Sequence, residues 1–168
     1  MPDQFEIIYK AHYNNLRNTV ENIINDKDAS HDVVQEVFLK LWNKKDEMDR
    51  ILDPKAYLFR SVINASLTYL ENNKKRVYLS DIKIASIDNT DENILLKELE
   101  IKIQAAIDNL PPKCKVIFVL CRFENMKHKE IAQHLSISLK TVENQMGIAI
   151  KRLNHELKPY LNKGLLPL

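Results

Sequence analysis

Glycine is nearly missing: only Gly147 and Gly164 occur in 168 residues. Few positions can therefore supply the positive φ that tight hairpin turns use. Neither GxGxxG nor GxxxxGK[ST] can be written with them, which excludes the usual dinucleotide-binding and P-loop enzymes. Cysteine is scarce too. Cys114 and Cys121 lie seven positions apart in a helical pattern. That is about 10 Å of helix rise, beyond the roughly 7 Å between Cα atoms that a disulfide tolerates. A reduced, cytoplasmic protein is the expectation. No apolar run nears the roughly 20 residues of a membrane span. The opening MPDQFEIIYK lacks the basic-then-apolar layout of a signal peptide. The five histidines, His12, His31, His128, His134 and His155, show no HExxH or paired ligand spacing. No metal, cofactor or catalytic set is expected, and catalysis is rejected.

A chain that is 45% hydrophobic and 29% charged should fold. Its apolar residues recur at helical spacing, so the fold class is all-α. Phe5, Ile8, Tyr9, Tyr13, Leu16, Val20, Ile23 and Ile24 predict a helix over 4–25. Asp28 is the expected cap of a second helix bearing Val33, Val34, Val37, Phe38, Leu41 and Trp42. Asp53-Pro54 pairs a cap with proline at the first helical position, opening a third helix to about residue 75. VYLSDIKIASIDNT (77–90) loses the period and reads as a flexible linker. A helix over 91–110 stops at Pro111-Pro112, and a strongly apolar helix follows. The expected organisation is two small helical domains, 1–76 and 91–161, with a tail at 162–168.

The net charge of +2 is unevenly spread. Residues 1–76 carry 12 basic and 12 acidic side chains, 77–110 carry 3 and 7, and 111–168 carry 10 and 4. A basic C-terminal third suits an anionic partner. There, Lys127–Leu135, a turn at Ser136-Ile137-Ser138 and Leu139–Leu157 form a helix-turn-helix, with Ser138 as the cap of its second helix. At 100° per residue Val142, Met146, Ala149 and Leu153 fall on one side; Lys140, Asn144, Ile148, Lys151 and His155 fall opposite. That is the pattern of a major-groove reader. Asn144 and Gln145 have the chemistry for adenine, Lys140 for guanine or phosphate, and Glu143 for a cytosine amino group. Thr141, Ile148 and Lys151 complete the candidate edge. Lys127, Lys129 and Arg122 suit phosphates, which position without specifying. Gly147 costs that helix about 1 kcal/mol relative to alanine. Close approach to DNA or to another helix are both open as its reason.

RFENMKHKEIAQHLSISLKTVENQMGIAIKRL (122–153) resembles region 4, the promoter-reading domain of extracytoplasmic-function sigma factors of the sigma-70 family. Leu110-Pro111-Pro112-Lys113-Cys114 resembles the boundary that precedes it. DASHDVVQEVFLKLW (28–42) resembles the region 2 helix that binds the clamp of core RNA polymerase. DPKAYLFRSVINASLTYL (53–70) resembles the adjoining helix that reads and melts the −10 element. Two motifs in the family's order cover most of the chain. The resemblance implies a region 2 three-helix bundle and a region 4 helix-turn-helix domain without an intervening third domain. It implies polymerase contacts at Asp32, Gln35, Glu36, Phe38, Leu39 and Trp42. It places −10 contacts at Tyr57, Arg60 and Asn64, with Lys74, Lys75 and Arg76 suited to phosphates, and −10 specificity in the loop Asn43–Leu52. Thr68 and Glu71 stand where the family usually has Asp and Arg, so the phosphate role of that second position is not carried over. Asn125 and Ser136 stand where it often has glycine. The partners implied are core RNA polymerase, promoter DNA and an anti-sigma factor. The free protein is expected as a monomer, with its domains able to pack together and hide both DNA faces. LKTVENQMGIAIKRL also looks like the reader of dimeric response regulators. Residues 1–76 resemble no sensor domain, which weighs against a stand-alone helix-turn-helix regulator.

Overall fold

A computed structural model describes residues 3–77 and 92–161. They form seven α-helices and one 3₁₀ turn, with no strand among the described residues. The helices are α1 (Gln4–Ile24), α2 (Lys27–Trp42), α3 (Pro54–Val77), α4 (Glu92–Asp108), α5 (Pro112–Arg122), α6 (His128–Leu135) and α7 (Leu139–Leu161). The expected linker lies, Val77 apart, outside the described residues, as does the tail.

Local chemistry explains most boundaries. Asn25 ends α1 in the left-handed conformation, φ 59°, which an Asn tolerates. Asp26, not Asp28, caps α2: its Oδ1 accepts from the Ala29 N–H at 2.9 Å, and Asp28 sits in the first turn. Either acid suits the dipole of that helix start. Asp53 caps α3 as expected, accepting from the Ala56 N–H at 3.0 Å. The loop between α2 and α3 is not open coil. Lys45–Arg50 form the 3₁₀ turn, and Met48 anchors it in the core.

α1, α2 and α3 pack on one another, and α5, α6 and α4 pack around α7. The two groups also touch, through α1 and α3 against α5 and through α3 against α6. One apolar core therefore runs from Ile8 to Leu153. Leu58, Val62 and Ile63 of α3 and Val116, Val119 and Leu120 of α5 are all fully buried within it.

Candidate nucleic-acid interface

α6 and α7 owe their angle to a three-residue turn held by backbone hydrogen bonds to the end of α6. Ser136 takes φ 53°, donates its N–H to Gln133 O, and lets the Ile137 N–H reach Ala132 O at 3.0 Å. Ser138 then caps α7, its Oγ accepting from the Thr141 N–H at 3.0 Å. At the start of α6, Glu130 accepts from the Lys127 N–H at 2.7 Å, leaving the Lys127 side chain exposed. Val142, Met146, Ala149 and Leu153 are buried. The opposite edge, Lys140, Thr141, Glu143, Asn144, Ile148 and Lys151, is exposed, with Lys127 and Lys129 exposed nearby.

Gln145 departs from that edge. It is half-buried, and its Oε1 accepts from the Cys114 thiol at 2.8 Å, so its carboxamide turns to α5 rather than outward. Burial raises the pKa of that thiol and keeps it a donor. Gly147 is exposed, and a Cβ there would meet nothing within 4 Å. Close packing against another helix of this chain is therefore not its reason.

The −10 candidates on α3 separate onto two faces. Tyr57 and Asn64, with Ser61, Thr68, Val37 and Lys40, line a groove of about 330 Å³ open to solvent. The Thr68 hydroxyl is spent within the helix, donating to Asn64 O at 3.1 Å. Arg60 and Lys74 lie on the other face, against the C-terminal helices. Arg60 Nε donates to His134 O at 3.0 Å, and Lys74 Nζ donates to Leu110 O at 2.9 Å. Burial, then the charge of Arg152, pulls the Lys74 pKa below its ordinary value. The side chains of Lys75 and Arg76 lie outside the described residues. The expectation that packing hides both DNA faces thus holds only in part: it half-buries Lys74, ties Arg60 by its Nε while leaving that residue exposed, and leaves the α7 edge open.

On α2, Asp32 and Glu36 are exposed, and Glu36 pairs with Lys40 at 2.7 Å in solvent. Gln35 is half-buried and donates to the Tyr9 hydroxyl at 3.3 Å. Phe38 is a correction. Only 1% exposed, it packs against the rings of Phe5, Tyr9 and Tyr13 and offers no surface to a partner. Leu39 at 59% and Trp42 at 40% are the apolar side chains that α2 does present. Trp42 is held edge-on to Phe5 at 4.9 Å and lies under the Lys45 ammonium.

Sequence reasoning missed a polar knot between the helix groups. Lys115, 2% exposed, pairs with Asp108 at 2.8 Å. Asp108 also accepts from Gln104 and, at 3.1 Å, from Asn25 of α1. Asn22 donates to Glu124 at 3.0 Å beside it. The available signal was a lone lysine inside the apolar run CKVIFVL.

These features define an all-helical DNA reader with two potential nucleic-acid faces and an exposed apolar edge. Residues 8–76 match the family described as sigma-70 region 2, and residues 100–153 match sigma-70, region 4. The chain is 24% identical to the ECF RNA polymerase sigma factor SigM of Bacillus subtilis, over 94% of this chain and 95% of that protein. It is 21% identical to the ECF sigma-E factor of Escherichia coli K12, over 95% and 89%. A solved structure of the sigma factor RpoE of Bartonella quintana, in complex with the anti-sigma factor NepR, superposes with a TM-score of 0.60 at 19% identity, covering 94% of this chain and 98% of that one. The chain belongs to the sigma-70 family, in its extracytoplasmic-function group, and is a promoter-recognising sigma factor of RNA polymerase.

Proposed function

We propose that residues 1–76 bind core polymerase and the −10 element, that 91–161 read the −35 element, and that 77–90 link them. The carrying observation is the α7 edge, where Lys140, Thr141, Glu143, Asn144, Ile148 and Lys151 stand exposed opposite a buried stripe. Asn144 is its best-placed base reader, and Lys140, Lys151, Lys127 and Lys129 neutralise phosphates. On the other module the Tyr57–Asn64 groove takes an unstacked −10 base by stacking plus an amide contact. Asp32, Glu36, Leu39 and Trp42 face the polymerase, and Gln35 does so after exchanging its bond to Tyr9. Opening of the duplex needs no reacting side chain, because capture of unstacked bases favours the open state. The protein is accordingly a cytoplasmic binding factor, not an enzyme, and a monomer when free. The NepR complex of the Bartonella structure supports an anti-sigma factor as a further partner.

The test is reconstituted run-off transcription with core bacterial polymerase on a promoter-fragment library. Factor-dependent transcripts sharing two upstream elements are expected. Sequence-specific duplex binding by the protein alone, without any transcript, would instead favour a stand-alone regulator. Charge reversal, Lys140→Glu with Lys151→Glu, should abolish −35 selectivity and keep polymerase association. Loss of polymerase association would show that this edge is misassigned.

A further inference from the structure

Around the Tyr57–Asn64 groove, the chemistry left for a ligand is narrower than the roll of its residues suggests. The Ser61 hydroxyl donates to Tyr57 O at 2.8 Å and the Thr68 hydroxyl to Asn64 O at 3.1 Å, so neither has a proton to offer. Val37 and Ala65 add only apolar surface. The donors that remain are the Tyr57 phenol, the Asn64 amide and the ammonium of Lys40. That lysine, on α2, is the one cation among the described residues that line the groove. The described side chains of α3 add no positive charge there. Arg60 and Lys74 donate to carbonyls on the other face, and Lys55 borders a separate hollow against α1. On the seven-residue stripe that carries Tyr57 and Asn64, the next position is Glu71, an exposed acid.

We propose that Lys40 is the phosphate contact of the −10 groove: its ammonium binds the backbone of the unstacked nucleotide whose base Tyr57 and Asn64 hold. The inference rests on the reading of that groove as the −10 site. Exposure places the ammonium at the rim. Val37, one turn earlier on α2, is buried, whereas the Lys40 side chain is 65% exposed. A nucleotide that enters by its base leaves its phosphate at the rim. An ammonium has donors only and acts as a point charge, which suits a phosphate oxygen and reads no base. Lys40 is also easily released. Its partner Glu36, at 2.7 Å and four residues back, is itself mostly exposed. Such pairs are weak and screened by salt, so a strand phosphate can replace the carboxylate. Neighbouring residues of α2 then meet different partners, Leu39 the polymerase and Lys40 the DNA strand.

The test uses core polymerase saturated with the full-length chain. The probe is a fluorescent, mixed-sequence single strand of about twenty nucleotides, titrated at several salt concentrations from about 50 to 200 mM. Lys40→Gln should weaken binding about three- to five-fold at the low-salt end. It should also make the salt slope shallower by about 0.7, the value of one phosphate on a single strand. The base preferences recovered from the run-off library should not change. Glu71→Arg, added to Lys40→Gln, should restore most of the lost affinity by returning a cation to the same stripe of α3.

Unchanged affinity and slope in Lys40→Gln, where Tyr57→Ala and Asn64→Ala still weaken binding, would overturn the role of Lys40 alone. Binding indifferent to all three substitutions would overturn the −10 reading on which the inference stands. A loss confined to one promoter base, with the slope unchanged, would refute the phosphate assignment by making Lys40 a base reader. Weaker association of Lys40→Gln with core polymerase, at unchanged strand affinity, would refute it by moving Lys40 to the polymerase face beside Glu36.

Discussion

Three positions carry backbone or side-chain choices that substitution can read directly. Gly147 weakens α7 by about 1 kcal/mol relative to alanine, and nothing in this chain needs the space. On the wheel it falls beside Lys140 and Lys151. Gly147→Ala should raise Tm by about 2–4 °C in a chain of this size and lower affinity for −35 duplex DNA. A rise in both would remove Gly147 from the DNA surface. Ser136 and Asn125 both take φ 53°. The left-handed region costs an ordinary residue roughly 1–2 kcal/mol, and Asn less. Ser136→Gly should therefore stabilise the protein more than Asn125→Gly in thermal melts; equal effects would mean that the strain argument fails. Gln145 illustrates how far a wheel can be trusted. Its amide chemistry made it a base-reading candidate, but its angle lies nearer Ala149 of the buried stripe than Ile148 of the reading edge, and its partner is a thiol 31 residues away.

Among elements, α5 combines a largely buried apolar face with a buried cation. Lys115 is tolerable there because Asp108 answers its charge. Removing one member of a buried pair costs about 3–5 kcal/mol, whereas replacing the buried charge by an apolar group of like volume is often neutral. Asp108 is partly exposed, so the lower end of that range applies. Asp108→Ala should lose about 3 kcal/mol in urea unfolding, and Lys115→Met should lose little. A comparable loss from both would show that the paired charge of Lys115, and not only the packing of its stem, stabilises the fold. The helices themselves were legible because their apolar spacing is regular, and the caps at Asp53 and Ser138 because each follows a break in that spacing. Asp26 and Asp28 could not be separated in the same way, since NDKD offers two acids at one helix start. The turn after α2 hid its 3₁₀ geometry because only Met48 among its residues is apolar enough to signal burial.

For the whole molecule, periodicity identified each helix face without identifying what that face meets. Arg60, Leu67 and Lys74 fall on one seven-residue stripe of α3. A sequence reading assigned its cations to DNA; the structure gives them to α6 and the end of α4. Phe38 was placed with the polymerase contacts by the resemblance of its helix to the region 2 motif; the structure buries it while its neighbours Leu39 and Trp42 face outward. The family, the two DNA-reading motifs and the buried stripe of α7 were legible because each is local in sequence. The bond from Asn25 to Asp108 and those from α3 to His134 O and Leu110 O were not, because each joins residues more than 30 positions apart.

The continuous core carries a thermodynamic consequence. Separating the helix groups wets the apolar seam between α1, α3 and α5, and hydrating apolar surface raises heat capacity. Association with polymerase buries apolar surface and lowers it. The two contributions oppose each other whenever binding demands opening. Calorimetric titration of core polymerase should therefore give a less negative heat-capacity change for the unaltered chain than for a variant with Asn22→Glu and Asn25→Asp, which sets carboxylates opposite Glu124 and Asp108 and is expected to loosen the seam. Identical values would mean that the seam stays closed on the enzyme.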